Sequence, residues 1–187
     1  MYEKEFIEAL ERTNRFGLCS PEYTETTTRY LSDTVIEELP HVVCNHIGLV
    51  NPNQLILQCL SINIRLKTIL SEYFKCPIYY TIGHVKINDE VAYEQTEETL
   101  FSMLKNGNSS PTVDLHAWLT LPSMELIDLS IASSYAKINR KPEVLGNLIS
   151  LHPSELTKGL SFHPMLIGEV FLEKIGALRL FTFPETV

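Results

Sequence analysis

Cys59, His116 and Asp128 are a thiol, an imidazole and a carboxylate in chain order, the three groups a cysteine nucleophile requires. In such a constellation the thiolate attacks, the imidazole moves protons, and the carboxylate fixes the tautomer and orientation of the ring. Three such residues occur by chance in most proteins, so their settings carry the argument. Cys59 lies in a helix-patterned apolar run, Gln54-Leu-Ile-Leu-Gln-Cys-Leu-Ser-Ile-Asn-Ile-Arg-Leu. His116 lies in an alternating run, Thr112-Val-Asp-Leu-His-Ala-Trp-Leu-Thr-Leu121, and Asp128 in a second short one, Met124-Glu-Leu-Ile-Asp-Leu-Ser-Ile131. A nucleophile on a helix is thus followed by a base and its orienter on successive strands.

The elements that must position these groups can be read from periodicity and breakers. Residues 2–15 form an amphipathic pattern ended near Gly17. Ser20-Pro21 offers a helix start, and Leu31, Val35 and Leu39 supply a stripe that stops at Pro40. A long helix is expected after Asn51-Pro52, with Leu55, Cys59, Ile62, Leu66 and Ile69 on one face, ending before Cys76-Pro77. Started at Pro52, that helix would hold Cys59 about two turns inside it. The dipole that activates a thiol acts mainly on the first turn. Either the helix begins later, or His116 alone must activate the thiol. Residues 78–87 read as a strand, 94–105 as a short charged helix, 166–174 as a helix and 177–183 as a last strand.

The connection between the two strands decides whether His116 and Asp128 meet. A three-residue connection at 121–123 pairs them directly, and one at 122–124 sets them diagonally. Either places both side chains on one face; a two- or four-residue connection does not. The turn sequence Leu-Pro-Ser-Met does not choose. Trp118, the sole tryptophan, shares that face by alternation, as a core residue or as a wall excluding water from the imidazole. Asp114 also shares it and is the rival orienter. Cys44, in an expected loop beside His46, is the competing thiol, and Cys19 and Cys76 read as structural.

Taken together, Cys59-Leu60, the helix through Leu66 to Leu70, Tyr80-Thr-Ile-Gly-His84, His116-Ala-Trp118 and Ile127-Asp-Leu-Ser130 resemble the transglutaminase-like superfamily of papain-type cysteine enzymes. The resemblance is to small bacterial members that include the leader peptidases of lasso-peptide maturation, and it covers about residues 54–131. It implies an α+β fold with the nucleophile helix packed on an antiparallel sheet. It also implies a peptide or protein substrate and a catalytic set of Cys59, His116 and Asp128. For an oxyanion-stabilising amide the candidates are Gln54, nearer to the papain-like spacing, and Gln58, although both read equally as solvated helix residues. His84 stands where the family carries an apolar residue, a departure that would place an imidazole in the cleft and alter substrate choice.

Composition narrows the classes. The chain has 187 residues, 44% hydrophobic and 20% charged, a balance that suits one folded domain. It reads as one domain over 1–187: a helical portion at 1–50, the catalytic core at 51–131 and a C-terminal portion at 132–187 completing the core. A net charge of −8 without a Lys/Arg cluster argues against nucleic acid as a partner. No secretory signal or membrane-length apolar run is present, so a cytoplasmic protein without a membrane partner is expected. Four cysteines without a Cys-x-x-Cys pair read as reduced thiols, and no metal or cofactor is expected. No Gly-x-Ser-x-Gly elbow or phosphate loop occurs, and no signal for an oligomeric state.

Two functions follow from these residues. The first is a cysteine-dependent acyl-transfer enzyme: a protease, deamidase or transglutaminase. The second keeps the fold but buries Cys59 as a small hydrophobe, leaving a non-catalytic protein-binding or regulatory module.

Overall fold

The computed structural model describes residues 1–48, 53, 55–56, 58–88, 90–108, 113–157 and 159–177. In chain order the elements are α1 (Tyr2–Arg15), α2 (Asp33–Ile47), α3 (Cys59–Phe74), β1 (Tyr79–Ile87), β2 (Glu90–Ala92), α4 (Glu97–Asn106), β3 (His116–Thr120), β4 (Leu126–Asp128), α5 (Ile131–Ile138), β5 (Ile149–Leu151), β6 (Ser161–Ile167) and α6 (Val170–Lys174). The fold is α+β, with one curled antiparallel sheet.

Strand β1 is the spine of that sheet. Its first half pairs with β3, its tip turns back on β2, and its other edge takes β6. From β3 the sheet runs on through β4 to β5, and every pairing is antiparallel. Alternation along β1 and β3 divides the core into two layers. Tyr80, Ile82, Ala117 and Leu119 pack with Leu60, Ile62, Leu66 and Leu70 of α3. Tyr79, Val85, Trp118 and Leu126 pack with Tyr2, Phe6 and Ala9 of α1. The sheet is therefore covered on both faces, by α3 on one and the N-terminal helix on the other.

Gly83 is needed where these layers are tightest. A Cβ there would lie 2.1 Å from the His163 carbonyl oxygen and 2.8 Å from the Trp118 ring. The β1–β6 register shifts at the same point, where Gly83 faces Pro164, a residue with no N–H to give the ladder.

Four expectations are corrected. Helix α3 starts at Cys59, not Pro52, so Cys59 lies in its first turn. Side chains pin that start. Asn63 Nδ2 donates to the Cys59 and Ala117 carbonyls at 2.9 and 2.8 Å. The Tyr80 hydroxyl donates to the Leu60 carbonyl at 2.9 Å, and Ser61 Oγ turns back to the Gln58 carbonyl. No helix begins at Ser20-Pro21; α2 begins after Ser32, whose hydroxyl caps Val35 N–H, and runs through Pro40. Pro40 costs the helix a hydrogen bond, offset by burial of Leu39 and Val43 beside it. Cys44 is therefore an exposed helical residue, not a loop thiol. Residues 161–167 form a strand, and the helix expected over 166–174 shrinks to Val170–Lys174. The strand expected at 177–183 lies, beyond Ala177, outside the described residues.

The segment before α2 is held instead by Glu125, at the start of β4. Its buried carboxylate accepts from the Tyr30 and Leu31 N–H groups at 2.7 and 3.0 Å, from Arg29 Nε at 2.8 Å and from the Ser123 hydroxyl. Burial works against the charged form of Glu125. Those donors outweigh it and hold its pKa below the ordinary carboxylate value.

Candidate active site

The β3–β4 connection brings His116 and Asp128 together. Leu119 faces Ile127 and Thr120 faces Leu126, so the connection is Pro122–Met124 and the two residues are diagonal. Leu121 N–H donates to the Glu125 carbonyl across it. Met124 takes the left-handed position, φ +67°, that such a three-residue loop requires. His116 Nε2 lies 2.6 Å from Asp128 Oδ2. The other carboxylate oxygen accepts from the N–H and hydroxyl of Ser130 at 2.8 and 2.9 Å and from Ile131 N–H at 3.2 Å. Asp128 is thus fixed by the first turn of α5, where free N–H groups and the helix dipole suit an anion.

Because Nε2 faces a carboxylate, it carries the proton, and Nδ1 is the ring's working nitrogen. Nδ1 is buried and has no hydrogen-bond partner. The Cys59 thiol reaches the site around the end of β3, donating to the Leu115 carbonyl at 3.4 Å. Burial alone would favour a neutral imidazole. The Asp128 charge and then Cys59 outweigh it and push the His116 pKa up to about 10. As the first residue of α3, Cys59 also has its backbone N–H among those without an intrahelical acceptor, a donor for an oxyanion formed at its own sulfur.

Aromatic rings flank the imidazole. Trp118 stacks at 5.8 Å between centroids, on the face the alternation predicts, and its Nε1 donates to the Tyr2 hydroxyl at 2.8 Å. Tyr2 in turn meets Thr120 Oγ1 at 2.7 Å, and Thr120 meets Thr81 at 2.8 Å, so the layer behind the site is buried and fully bonded. Phe162 closes that side, edge-on to Trp118 at 5.1 Å. Tyr93, in the loop after β2, stacks on His116 at 5.3 Å and 25°. Nothing in the sequence marked it: a lone aromatic in a charged loop has no periodic signal.

The remaining candidates fall elsewhere. Gln54 lies outside the described residues. Gln58 is exposed, with its side-chain oxygen taken by Ser61 at 3.0 Å. Asp114 is exposed and lies outside β3, and the carboxylate bonded to His116 is that of Asp128. His84 stacks on His163, at 4.8 Å and 11°. Among the described residues its ring contacts do not involve Cys59 or His116. His163 is itself held by Glu5 at 2.9 Å and Ser161 at 2.8 Å. No three His, Cys, Asp or Glu side chains among the described residues converge as a metal ligand set. Nor is any helix among them long and apolar enough to cross a membrane.

Comparison with protein families, curated proteins and solved structures finds no match to this chain.

Proposed function

We propose that this chain is a cysteine-dependent acyl-transfer enzyme of the transglutaminase-like, papain-type class, acting on a peptide or protein amide. One observation carries the reading: Asp128 claims Nε2 of His116, leaving Nδ1 to face Cys59, which interacts with the same ring from the first turn of a helix. In the reaction, Cys59 Sγ attacks the amide carbon while its proton resides on His116 Nδ1. Collapse of the tetrahedral intermediate breaks the C–N bond, and the same proton leaves with the amine. The thioester is then resolved by water or by a second amine, His116 taking the proton from the incoming nucleophile. Water gives proteolysis or deamidation, and an amine gives transamidation. The imidazolium favoured by Asp128 and Cys59 supports this order of proton transfers, because it is the acid the leaving amine needs.

The expected test result is selective alkylation. At about pH 6, where a thiol without a cationic neighbour is almost wholly protonated, iodoacetamide modifies Cys59 ahead of Cys19, Cys44 and Cys76. Peptide mapping that finds Cys44 modified first, with Cys59 protected until the protein unfolds, removes the nucleophile.

A second reading has its own support. Cys59 is only 4% exposed and His116 1%, as expected of a binding or regulatory module that uses the thiol as core. That reading predicts full function in the cell for Cys59→Ala, His116→Ala and Asp128→Asn alike. The enzyme predicts loss in all three.

A further inference from the structure

We propose that Tyr93 is a positioning residue for His116, resting on the catalytic reading above: its ring covers one face of the imidazole and, anchored on Ser134, keeps water from the Cys59–His116 pair. Three observations meet at this residue. Its ring stacks on His116 at 5.3 Å. Its hydroxyl is hydrogen-bonded to Ser134, in the first turn of α5. Its backbone has φ +64°, a left-handed conformation that a bulky side chain rarely takes. A connecting loop free to choose would place Gly or Asn there, because the Cβ of an L side chain is crowded in that region. Strain of this kind persists where surrounding contacts over-determine the residue, and it clusters at functional sites.

The anchoring gives α5 two duties. Its first turn holds Asp128, which sets the edge of the imidazole, and Ser134, which holds the ring laid on its face. Burial, followed by the charge of Cys59, pushes the Tyr93 hydroxyl up to about 12, so it remains neutral in the working pH range. With water excluded, the attraction between thiolate and imidazolium acts through a low dielectric and is correspondingly strong. Removing the ring wets the pair and weakens that attraction. The thiolate should then form at higher pH, although the sulfur is easier to reach.

The experiment measures the iodoacetamide rate of Cys59 against pH in the full chain, for the wild type, Tyr93→Phe, Tyr93→Leu and Tyr93→Ala. Tyr93→Phe keeps the stacked ring and should keep the wild-type midpoint closely. Tyr93→Ala should raise the midpoint by about one pH unit, a tenfold slower reaction on the acid limb, without slowing the plateau. Tyr93→Leu, whose branched chain cannot lie flat over the imidazole and so leaves it partly open to water, should shift in the same direction by a smaller amount and serves if the alanine variant does not fold. Loss of packing alone would lower the melting temperature without moving the midpoint. A low wild-type midpoint unchanged in both Tyr93→Ala and Tyr93→Leu overturns the assignment of Tyr93 and leaves the catalytic reading standing. An ordinary thiol midpoint in the wild type overturns both.

Discussion

Asp128→Asn should fold as the wild type does and lose about 10⁴-fold in acyl-transfer rate, the loss seen when a serine-protease triad suffers the same change. The hydrogen bonds around the carboxylate explain why an isosteric amide fails. One oxygen accepts three donors from Ser130 and Ile131 at the start of α5. The amide oxygen of Asn must take that side, since an NH2 group there would face donors. The NH2 is thereby turned toward His116 Nε2, which must become an acceptor. The ring proton moves to Nδ1, and the nitrogen facing the thiol can no longer act as a base. The helix cap survives, so the melting temperature should stay within a few degrees. Release of a fluorescent amine from peptide amides checks the rate. A variant within tenfold of wild type, with unchanged melting, would show that Asp128 is only a cap for α5.

The second large effect is on stability. Glu125→Ala should cost about 2–5 kcal/mol, because it leaves two backbone donors without an acceptor at about 1–3 kcal/mol each. The carboxylate is wholly buried, and its loss strands the Tyr30 and Leu31 N–H groups together with the inner side of Arg29. Glu155 provides the control. It meets the same Arg29 at 2.8 Å but is 47% exposed, and its replacement by alanine should cost under about 1 kcal/mol. Urea midpoints of the two variants give the comparison, and equal shifts would refute the argument. The sign with pH also follows. The Glu125 pKa is depressed in the folded protein, so its contribution is complete above the unfolded value of about 4.3 and fades as pH falls through the folded one. The alanine variant should therefore show a shallower acid limb.

These residues also show what the sequence could and could not reveal. Helix α1, the end of α3 before Cys76-Pro77, strand β1 and helix α4 were legible because their periodicity and breakers are local. The convergence of His116 and Asp128 was legible only on condition of an odd-length turn, which the register of β3 on β4 supplies. The start of α3 was not legible. It is set by Asn63 reaching Ala117, a contact across 54 residues. The start of α2 is likewise preceded by backbone that Glu125 holds from 94 and 95 residues away. The hairpin register was ambiguous because Met124 takes a position where glycine would have announced the turn. The apolar residues of β6 read equally as helix or strand, an ambiguity inherent in short apolar runs. Tyr93 acquires its place only from the folded ring contact.

The Trp118–His116 stack gives the site its own optical reporter. The chain has a single tryptophan, so all indole emission originates 5.8 Å from the imidazole ring. A protonated imidazole accepts an electron from excited indole far more readily than a neutral one, so the protein should be dim while His116 carries its charge. Emission should rise as the ring deprotonates near pH 10. In Asp128→Asn, where the counter-charge is gone, that rise should come at lower pH. Light from one side chain thus reads the proton on its neighbour, with no label and no added ligand.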